Sequence, residues 1–587
     1  MSVMMTRWGA ALDRENPLPE YPRPQMRRDS YLNLNGPWQY AFASRADRPV
    51  RWDGEIVVPF SPEAPLSGVN RQLKKDEFLH YRRTFALPED FLRDRVLLHF
   101  GAVDQIARVF VNGTPVITHR GGYWPFSADI TDALREGDNE LWVAVSDNAD
   151  SPEDAYGKQR YKRGGIWYTA QSGIWQTVWL ESVPAVYIKS IRITPEYDQQ
   201  RLRVNVDAPE GHLCTVDVLD ARGQFVAGSW AKNGECLIPL PGFHPWNPED
   251  PYLYSLRLEL GEDRVESYFA MRKFSYVIHN GHKVFALNGK PCYHNGLLDQ
   301  GYWPDGLMTA PSDEAMIHDI RTAKNCGFNM LRKHVKIEPL RWYYHCDRLG
   351  MLVWQDAVSG GQDYSGAFTS WLPLLGAVKR SDSDADELGR RTDASRQRFL
   401  QELRSTVEHL YNCPCIALWT PFNEGWGQFD AIKAADLVQE LDPSRYIDHA
   451  SGWHDQGWPE IQSRHIYFRP VHLKNDGRAL CLTEFGGYVL AVKGHKWTDR
   501  VFGYKVFSGG RSLKRSYERL FLRQIRPLIE SEGLTASVYT QISDVEQEMN
   551  GLMTYDREIL KIGADTLRRI NARLTFSGAD RGREAKE

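Results

Sequence analysis

Two acidic residues each follow an apolar segment. Glu424 comes directly after CIALWTPFN and Glu484 closes LCLTE, and neither segment carries another charged residue before its acid. Two carboxylates that face one carbon can hydrolyse a glycosidic bond, because one protonates the leaving oxygen while the other attacks the carbon or activates water. A lone acid of this kind is equally well a solvated surface group, so the hypothesis depends on the pair and on the neighbouring Asn423 and Trp426.

The elements around these acids predict a (β/α)8 barrel. From near residue 278, short apolar strands alternate with amphipathic helices, including one that begins after Ser312 and one with Pro339 near its first turn and Gly350 after its end. Eight strands over about 300 residues is the count of this barrel, whose catalytic residues lie at the carboxyl ends of its strands. The predicted strands are 291–296, 328–332, 351–356, 415–420, 446–450, 464–468, 480–484 and 536–541.

Two segments of this region lack regular structure in the prediction. Residues 451–463, between the fifth and sixth strands, show no helical period. The polar stretch KRSDSDADELGRRTDAS (379–395) predicts an exposed, mobile loop.

The residues before the barrel predict two β-sandwiches. Segments such as LHYRRTFAL (79–87) and NELWVAVSD (139–147) are short, rich in apolar residues and separated by turn signals, a pattern typical of a jelly roll. Alternating apolar residues between 190 and 260 fit a smaller immunoglobulin-like sandwich. We therefore divide the chain into a jelly-roll sugar-binding domain (1–185), an immunoglobulin-like domain (186–277) and a catalytic barrel (278–587).

Composition excludes several classes of protein. The 587 residues carry 72 Lys and Arg against 76 Asp and Glu, a net charge of −4 that gives no electrostatic reason to bind nucleic acid or a membrane. No apolar run can cross a bilayer and the first residues lack a secretory signal, so we expect a cytoplasmic protein. Eight cysteines are too few for a disulfide scaffold and predict buried, reduced thiols. The 70 aromatic residues (19 Trp, 27 Tyr and 24 Phe) suit sugar stacking and a β-sandwich core equally well.

Several motifs resemble the retaining glycoside hydrolases of family 2, which include β-galactosidases, β-glucuronidases and β-mannosidases. LNGPW (34–38), VNG (111–113) and SGIWQTVWLE (172–181) are similar to the sugar-binding sandwich of the family. NCPCIALWTPFNE (412–424) resembles its acid/base signature, with Cys413 where His, Arg or Tyr is usual, and LTEFGG (482–487) resembles its nucleophile strand. The resemblance covers almost the whole chain.

The resemblance implies a role for individual residues. Glu424 is similar to the acid/base and Glu484 to the nucleophile of a covalent mechanism, and Asn423 to the residue that binds the sugar 2-hydroxyl. Tyr467 and Arg332, the latter in FNMLRKH, resemble the residues that hold the nucleophile and favour its ionised form. Other residues near strand ends are candidates to contact the sugar: His334, His465, Trp453, Trp426, Asp299, Trp303 and Tyr539.

The resemblance implies an exo-acting retaining β-glycosidase and leaves the sugar open. We place β-galactosidase-type activity first, although large β-galactosidases have His and Asp where this chain has Gly487 and Trp167. A β-glucuronidase is an alternative, but there is no clear Asn-x-Lys pair for a carboxylate, and Lys493 and Lys496 look like exposed loop residues. A furanosidase, an arabinopyranosidase and a non-catalytic carbohydrate-binding protein are further alternatives.

The same resemblance bears on cofactors and partners. The mechanism requires no cofactor, and although some relatives bind magnesium near the acid/base, no ligand set is evident here. The expected partner is a carbohydrate substrate, and a homo-oligomer is left open. To close the exo pocket, we expect the sandwich loop at 161–171 to reach the mouth of the barrel.

Overall fold

The computed structural model describes residues 4–362, 364–374, 379–383 and 386–576. Its first unit is a β-sandwich of two antiparallel sheets, as the sequence predicts, with a core that includes Trp38, Tyr81 and Phe100. The sheet of six has the strand order Gly54–Val58, Gly36–Ala43, Phe78–Ala86, Asp138–Ser146, Ile106–Val111 and Thr114–Arg120. The sheet of four has the order Leu32–Asn33, Val178–Val183, Arg95–Phe100 and Phe126–Asp129.

The second unit is the smaller, immunoglobulin-like sandwich. Alternate residues such as Leu202, Val204 and Val206 point into its core because side chains alternate along a strand. One sheet holds Ser190–Glu196, Arg201–Asp207 and Glu235–Pro239. The other holds Phe225–Ala231, Cys214–Leu219, Tyr254–Leu260 and Asp263–Phe269.

An eight-stranded parallel barrel forms the third unit and confirms the predicted fold class. In chain order its strands are β1 His294–Asp299, β2 Met330–Lys333, β3 Leu352–Asp356, β4 Ile416–Thr420, β5 Tyr446–Ile447, β6 Ile461–Ile466, β7 Ala479–Gly486 and β8 Leu534–Thr540. Their order in the sheet is β5-β4-β3-β2-β1-β8-β7-β6. The carboxyl ends of all eight strands therefore meet at one mouth.

A hairpin closes the opposite end of the barrel. It comprises Phe274–His279 and His282–Leu287, extended by the short strand Lys290–Pro291. Phe285 stacks on Tyr446 at the start of β5, and their ring centroids are 4.2 Å apart. The boundary that we predict at residue 278 falls inside the first strand of this hairpin, and the division of the chain at 185 and 277 stays a proposal.

Helices cover part of the outside of the barrel. They are α1 Asp313–Asn325, α2 Leu340–Leu349, α3 Asp393–Leu410, α4 Ala431–Leu441, α5 Gly510–Leu520, α6 Arg526–Ser531 and α7 Ala564–Asn571. As predicted, Ser312 caps α1 through its side chain and Gly350 ends α2 in a left-handed conformation. No helix follows β5 before β6, and none lies between β6 and β7. Among the described helices, none has the length and apolar character that a membrane span requires.

Several predicted segments differ from the structure. β1 begins at His294 rather than 291 because Lys290–Pro291 pairs with the hairpin instead. β6 begins at Ile461 rather than 464, since its polar Gln462 and Ser463 are buried and bonded, so hydropathy gives no signal for them. The loop 379–395, of which residues 384 and 385 lie outside the described part, is not wholly exposed: Asp382, Leu388 and Arg390 are buried.

The amino-terminal segment connects the three units. Thr6 donates hydrogen bonds from its backbone and its hydroxyl to Asp305 in the barrel. Arg28 lies between the sandwiches, where it bonds Glu181 of the first at 3.0 Å and Asp263 of the second at 2.9 Å. The guanidinium is almost completely buried, so this junction is an internal ion cluster.

Candidate active site

Glu424 is positioned by a short extension of β4. Residues Phe422–Asn423 pair in parallel with Ala450–Ser451, beyond the ends of β4 and β5. The Glu424 backbone N–H then donates to the Ser451 carbonyl at 3.1 Å, and its φ of +51° is a left-handed conformation that a glutamate rarely adopts. Such strain is found where the surrounding structure enforces it, often at functional sites.

Glu484 is turned into the barrel by an irregularity in β7. The pairing with β8 runs from Leu482–Ser537 to Phe485–Tyr539, so β7 has one residue more than its partner at this point. A bulge of this kind changes the face to which the following side chains point. Glu484 consequently lies at the mouth, where only 4% of its surface is exposed.

The two carboxylates lie close together, on either side of His465. One oxygen of each acid and one ring nitrogen of His465 all lie within 4.8 Å of one another. Nδ1 of His465 is 2.8 Å from Glu424 Oε1, and its Nε2 is 3.6 Å from Glu484 Oε1. Carboxyl groups about 5–5.5 Å apart are typical of retaining glycosidases, whereas inverting enzymes keep them about 6.5–9.5 Å apart.

This trio has the donor types of a metal site, but its surroundings do not fit a cation. Arg332 already contacts Glu484 at 3.2 Å, and both ring nitrogens of His465 face other groups. A second positive charge would be placed against a buried guanidinium, which is unfavourable at low dielectric. We therefore assign no metal to the described residues here.

Arg332 lies beneath the site and is completely buried. It donates to Asp356 at 3.0 Å, to Glu484 at 3.2 Å and to Asn423 Oδ1 at 2.8 Å. His334 contacts the other oxygen of Asp356 at 2.8 Å. Asp356 was not predicted as a site residue, although it ends MLVWQD and gives the same strand-end signal as the two acids.

Asn423 keeps one donor for a ligand. A guanidinium can only donate, so the oxygen of the Asn423 amide must be the atom that faces Arg332. The amide nitrogen, Nδ2, is then left buried without a hydrogen-bond partner among the described residues. Buried donors are usually satisfied, so this atom is available to a substrate hydroxyl, as the sequence predicts for the 2-hydroxyl.

Tyr467 and Tyr504 form the wall beside Glu484. The Tyr467 hydroxyl donates to Glu484 Oε2 at 2.6 Å, and its ring stacks on Tyr504 with centroids 3.8 Å apart. Tyr504 was not predicted, because it comes from the long loop after β7. Gly487 makes room for it: a Cβ there would lie 2.1 Å from the Tyr504 ring.

Burial dominates the proton affinities of the acids. It raises the pKa of Glu424 to about 7, although Lys158 and Arg332 act in the opposite direction. Burial also raises the pKa of Glu484 above its usual value, with the Glu424 charge adding to the effect and His465, Arg332 and Tyr467 opposing it. Burial lowers the pKa of His465 to about 3, so that ring is neutral.

The structure brings most of the predicted site residues together, but not all. The Trp453 ring lies edge-on to His465 with centroids 6.0 Å apart, and its indole N–H has no hydrogen-bond partner in the described part of the chain. The Trp426 ring centroid lies 6.2 Å from that of His334. Three predicted residues, Asp299, Trp303 and Tyr539, have other surroundings.

The side-chain contacts of Asp299, Trp303 and Tyr539 are with residues other than the two acids. Asp299 bonds Lys333 at 2.7 Å and the Gly301 N–H at 2.8 Å, so both of its oxygens have partners. Trp303 packs between Trp8 and Arg557. Tyr539 points outward, toward Tyr517 of α5, because its neighbours Ala536 and Val538 occupy the inward face of β8.

The first sandwich contributes a wall to the mouth, as the sequence predicts. The Trp167 ring lies 5.4 Å from Trp426, and Thr169 donates through its N–H and its hydroxyl to Glu546, in the loop after β8. Tyr168 contacts Glu548 of the same loop. Lys158, which was not predicted, lies 4.8 Å from the Trp426 ring centroid.

Comparison with known proteins agrees with this architecture. In chain order, residues 65–176 match the glycosyl hydrolase 2 galactose-binding domain-like model, residues 186–272 the glycosyl hydrolases family 2 model, and residues 278–475 the family 2 TIM barrel domain model. A β-galactosidase of Halalkalibacterium halodurans is 22% identical over 81% of this chain and 50% of its own length. The human β-glucuronidase is 22% identical over 77% of this chain and 74% of its own length.

A solved structure shows the same fold. The β-D-glucuronidase of Dictyoglomus thermophilum superposes with a TM-score of 0.74 over 95% of this chain and 99% of that chain, at 18% identity. Fold and site define a sandwich–sandwich–barrel protein with two opposed carboxylates at the barrel mouth. With three domain models matched in order, the chain belongs to glycoside hydrolase family 2. It spans half the length of the H. halodurans relative.

Proposed function

We propose that the protein is an exo-acting β-glycosidase that retains the configuration at the anomeric carbon. The observation that carries this proposal is the approach of Glu424 and Glu484: an oxygen of one acid lies within 4.8 Å of an oxygen of the other, closer than the roughly 6.5–9.5 Å that separates the acids of inverting enzymes. Glu484 is the proposed nucleophile, since Tyr467 and Arg332 contact its two oxygens. Glu424 is the proposed acid/base, since burial gives it a pKa of about 7.

The exo character is inferred from the walls of the mouth. A barrel alone has an open mouth, whereas here the sandwich loop and the loop after β8 bond to each other beside the acids. A mouth that is walled in this way suits a single terminal sugar.

The stereochemistry of the first product tests the mechanism. Proton NMR of early hydrolysis of an aryl β-glycoside should show the β-anomer first, with the α-anomer appearing only by mutarotation. Replacing Glu484 by Gln should reduce turnover by several orders of magnitude, and added azide should yield an α-glycosyl azide. An α-anomer as first product would overturn the proposal.

Activity on a panel of aryl glycosides would identify the sugar that the protein hydrolyses. The sequence favours β-galactosidase-type activity, and similar proteins carry the names β-galactosidase and β-glucuronidase. The panel therefore includes galactoside, glucuronide, arabinoside and furanoside. If the protein bound a sugar but hydrolysed none of them, it would be the non-catalytic carbohydrate-binding alternative.

A further inference from the structure

The turn that carries Glu424 has an unusual backbone. Between β4 and α4, Glu424 and Asp430 adopt left-handed φ angles of +51° and +40°, and the two glycines between them, Gly425 and Gly427, are left-handed as well. A residue with a side chain rarely adopts this conformation, which costs free energy unless the surrounding structure enforces it. The position of Glu424 therefore depends on what holds the turn from outside.

Hydrogen bonds inside the turn do not reach its strained residues. The Trp426 N–H donates to the Asn423 carbonyl at 2.9 Å, and the Gln428 N–H donates to the Gly425 carbonyl at 3.2 Å. Neither bond includes the backbone of the acid or of the residue that precedes α4. These residues are therefore held mainly by contacts with other loops.

Asp382 holds the end of the turn that leads into α4. Its Oδ2 accepts from the backbone N–H of Ala431 at 2.8 Å and from the side-chain amide of Gln428 at 3.2 Å. Asp430, the residue before α4, makes no cap with its own side chain. The first N–H groups of a helix have no partner inside the helix and favour a carboxylate. Asp382 therefore supplies the missing cap from the loop after β3.

Two more residues of the same loop contact the turn. The Gly427 N–H donates to the Leu388 carbonyl at 2.7 Å. Arg390 packs so closely against Gly427 that a Cβ there would lie 2.7 Å from its Nε. The loop after β3 thus contacts the turn at several points between the acid and α4.

The bonds of Asp382 all serve this turn and the start of α4. The residue is 8% exposed and makes no ion pair within the described part of the chain. A buried carboxylate is unfavourable unless hydrogen bonds replace its hydration. The hydrogen bonds that Asp382 accepts come from Gln428 and Ala431, so its burial and its contact with the turn depend on each other.

We propose that Asp382 is a positioning residue for the acid/base Glu424. By fixing Gln428 and Ala431 it prevents the left-handed residues of the turn from relaxing, so that the free oxygen of Glu424 stays directed at the leaving group. A displacement of about 1 Å at such a group can reduce the rate about 100-fold. This inference rests on the proposed glycosidase activity and adds a residue from a loop that the sequence predicts to be exposed.

The test compares leaving groups. Kinetics are measured with phenyl β-D-galactoside, whose leaving group needs a proton, and with the 2,4-dinitrophenyl galactoside, whose leaving group does not, or with the two glucuronides if that sugar is cleaved. We expect Asp382→Ala to reduce kcat/KM about 100-fold for the phenyl substrate and less than about threefold for the dinitrophenyl one. Asp382→Asn keeps an oxygen that can accept from Ala431 and should recover most of the loss.

Asp386→Ala is the matched control. Asp386 lies in the same loop, is exposed and makes no side-chain hydrogen bond to another described residue. This variant should change kcat/KM for either substrate by less than about twofold.

A cycle of double variants separates positioning from a general loss of folded protein. If Asp382 acts through Glu424, Asp382→Ala should reduce kcat/KM for the phenyl substrate by less than about twofold in a Glu424→Ala background. An equal loss on the two substrates would overturn the inference, and so would an undiminished 100-fold loss in the Glu424→Ala background. Either result would mean that Asp382 supports the fold rather than the acid.

Hydrogen exchange tests the contact without turnover. In Asp382→Ala we expect faster amide exchange in residues 422–434 and unchanged exchange in β7. Unchanged exchange in both segments would overturn the positioning role. If residues 422–434 exchange faster but Glu424→Gln keeps the leaving-group dependence of the wild type, the proposed role of Glu424 is wrong and the contact made by Asp382 stands.

Discussion

At the scale of single residues, the hydrogen bonds of His465 identify which of its nitrogens carries the proton. Arg332 Nη1 lies 3.4 Å from Nε2 and can only donate, so Nε2 accepts. The one proton of the neutral ring is then on Nδ1 and is donated to Glu424 Oε1 at 2.8 Å. This bond leaves Oε2 of Glu424 to deliver a proton to the leaving group, and it favours the ionised acid.

This arrangement predicts a matched pair of His465 variants. Leu and Asn have similar shapes, but Asn keeps an N–H near the position of Nδ1. His465→Leu should raise the basic pKa of kcat/KM by about one unit, because a hydrogen bond to a charged group is worth about 1.5–3 kcal/mol. It should also slow substrates with poor leaving groups more than aryl glycosides, and His465→Asn should recover part of both effects. If Leu and Asn gave the same pH profile, the proton donation would be refuted.

The pKa shifts of the acids predict a narrow pH profile. Activity requires Glu484 ionised and Glu424 protonated, so kcat/KM should fall at low pH as Glu484 gains a proton and at high pH as Glu424 loses one. The basic limb should lie near pH 7, and the acid limb above the usual glutamate range because burial raises the pKa of Glu484. In Glu424→Gln the basic limb should disappear for an activated aryl substrate. Its persistence would assign the acid to another residue.

At the scale of elements, a glycine at the end of β7 determines where a loop residue lies. Gly487 has a φ of +63°, and Tyr504 occupies the space beside it. Gly487→Ala should cost about 1 kcal/mol of folding free energy from the left-handed backbone and should also push Tyr504 off Tyr467, so that kcat/KM falls about tenfold.

Gly494 provides the control for this variant. It lies in the same loop with a φ of +86°, and a Cβ there would meet no atom within 4 Å. Gly494→Ala should therefore show the strain without the loss of activity, as measured by thermal unfolding and by kinetics. Equal activity losses in the two variants would mean that loop strain, not Tyr504, is responsible.

At the scale of the whole molecule, buried charges hold the sandwiches together. Arg28 neutralises Glu181 and Asp263, and Arg28→Met would leave Asp263 buried without this partner. We expect a loss of about 3–5 kcal/mol, seen as a lower midpoint of the first thermal transition. The neighbouring Arg27 makes an exposed ion pair with Glu266 at 3.3 Å, so Arg27→Met should cost less than about 1 kcal/mol. A similar effect of both variants would contradict the role of burial.

The sequence alone predicted the three units and the two acids. Local alternation of apolar residues identifies strands, and Glu424 and Glu484 stand out as a pair of acids that each follow an apolar segment, with Asn423 and Trp426 beside the first. These signals are local in the chain, which is why the fold class was correct. The predicted ends of a strand were wrong where hydrogen bonding to a neighbouring strand determines them. At β1, for example, the predicted first residues pair with the hairpin instead.

Only the tertiary structure showed which residues surround the acids. Tyr539 lies on a strand of the barrel as predicted, yet its side chain faces the helices. Alternate residues of a strand point into the barrel, and which of the two sets does so depends on the register of the strand and on its bulges. Lys158 reaches the mouth from the first sandwich and is more than 260 residues from Glu424 along the chain. Tyr504 reaches it from the long loop after β7 and is 20 residues from Glu484. Chain separation carries no information about such contacts, since they arise from the packing of one unit against another.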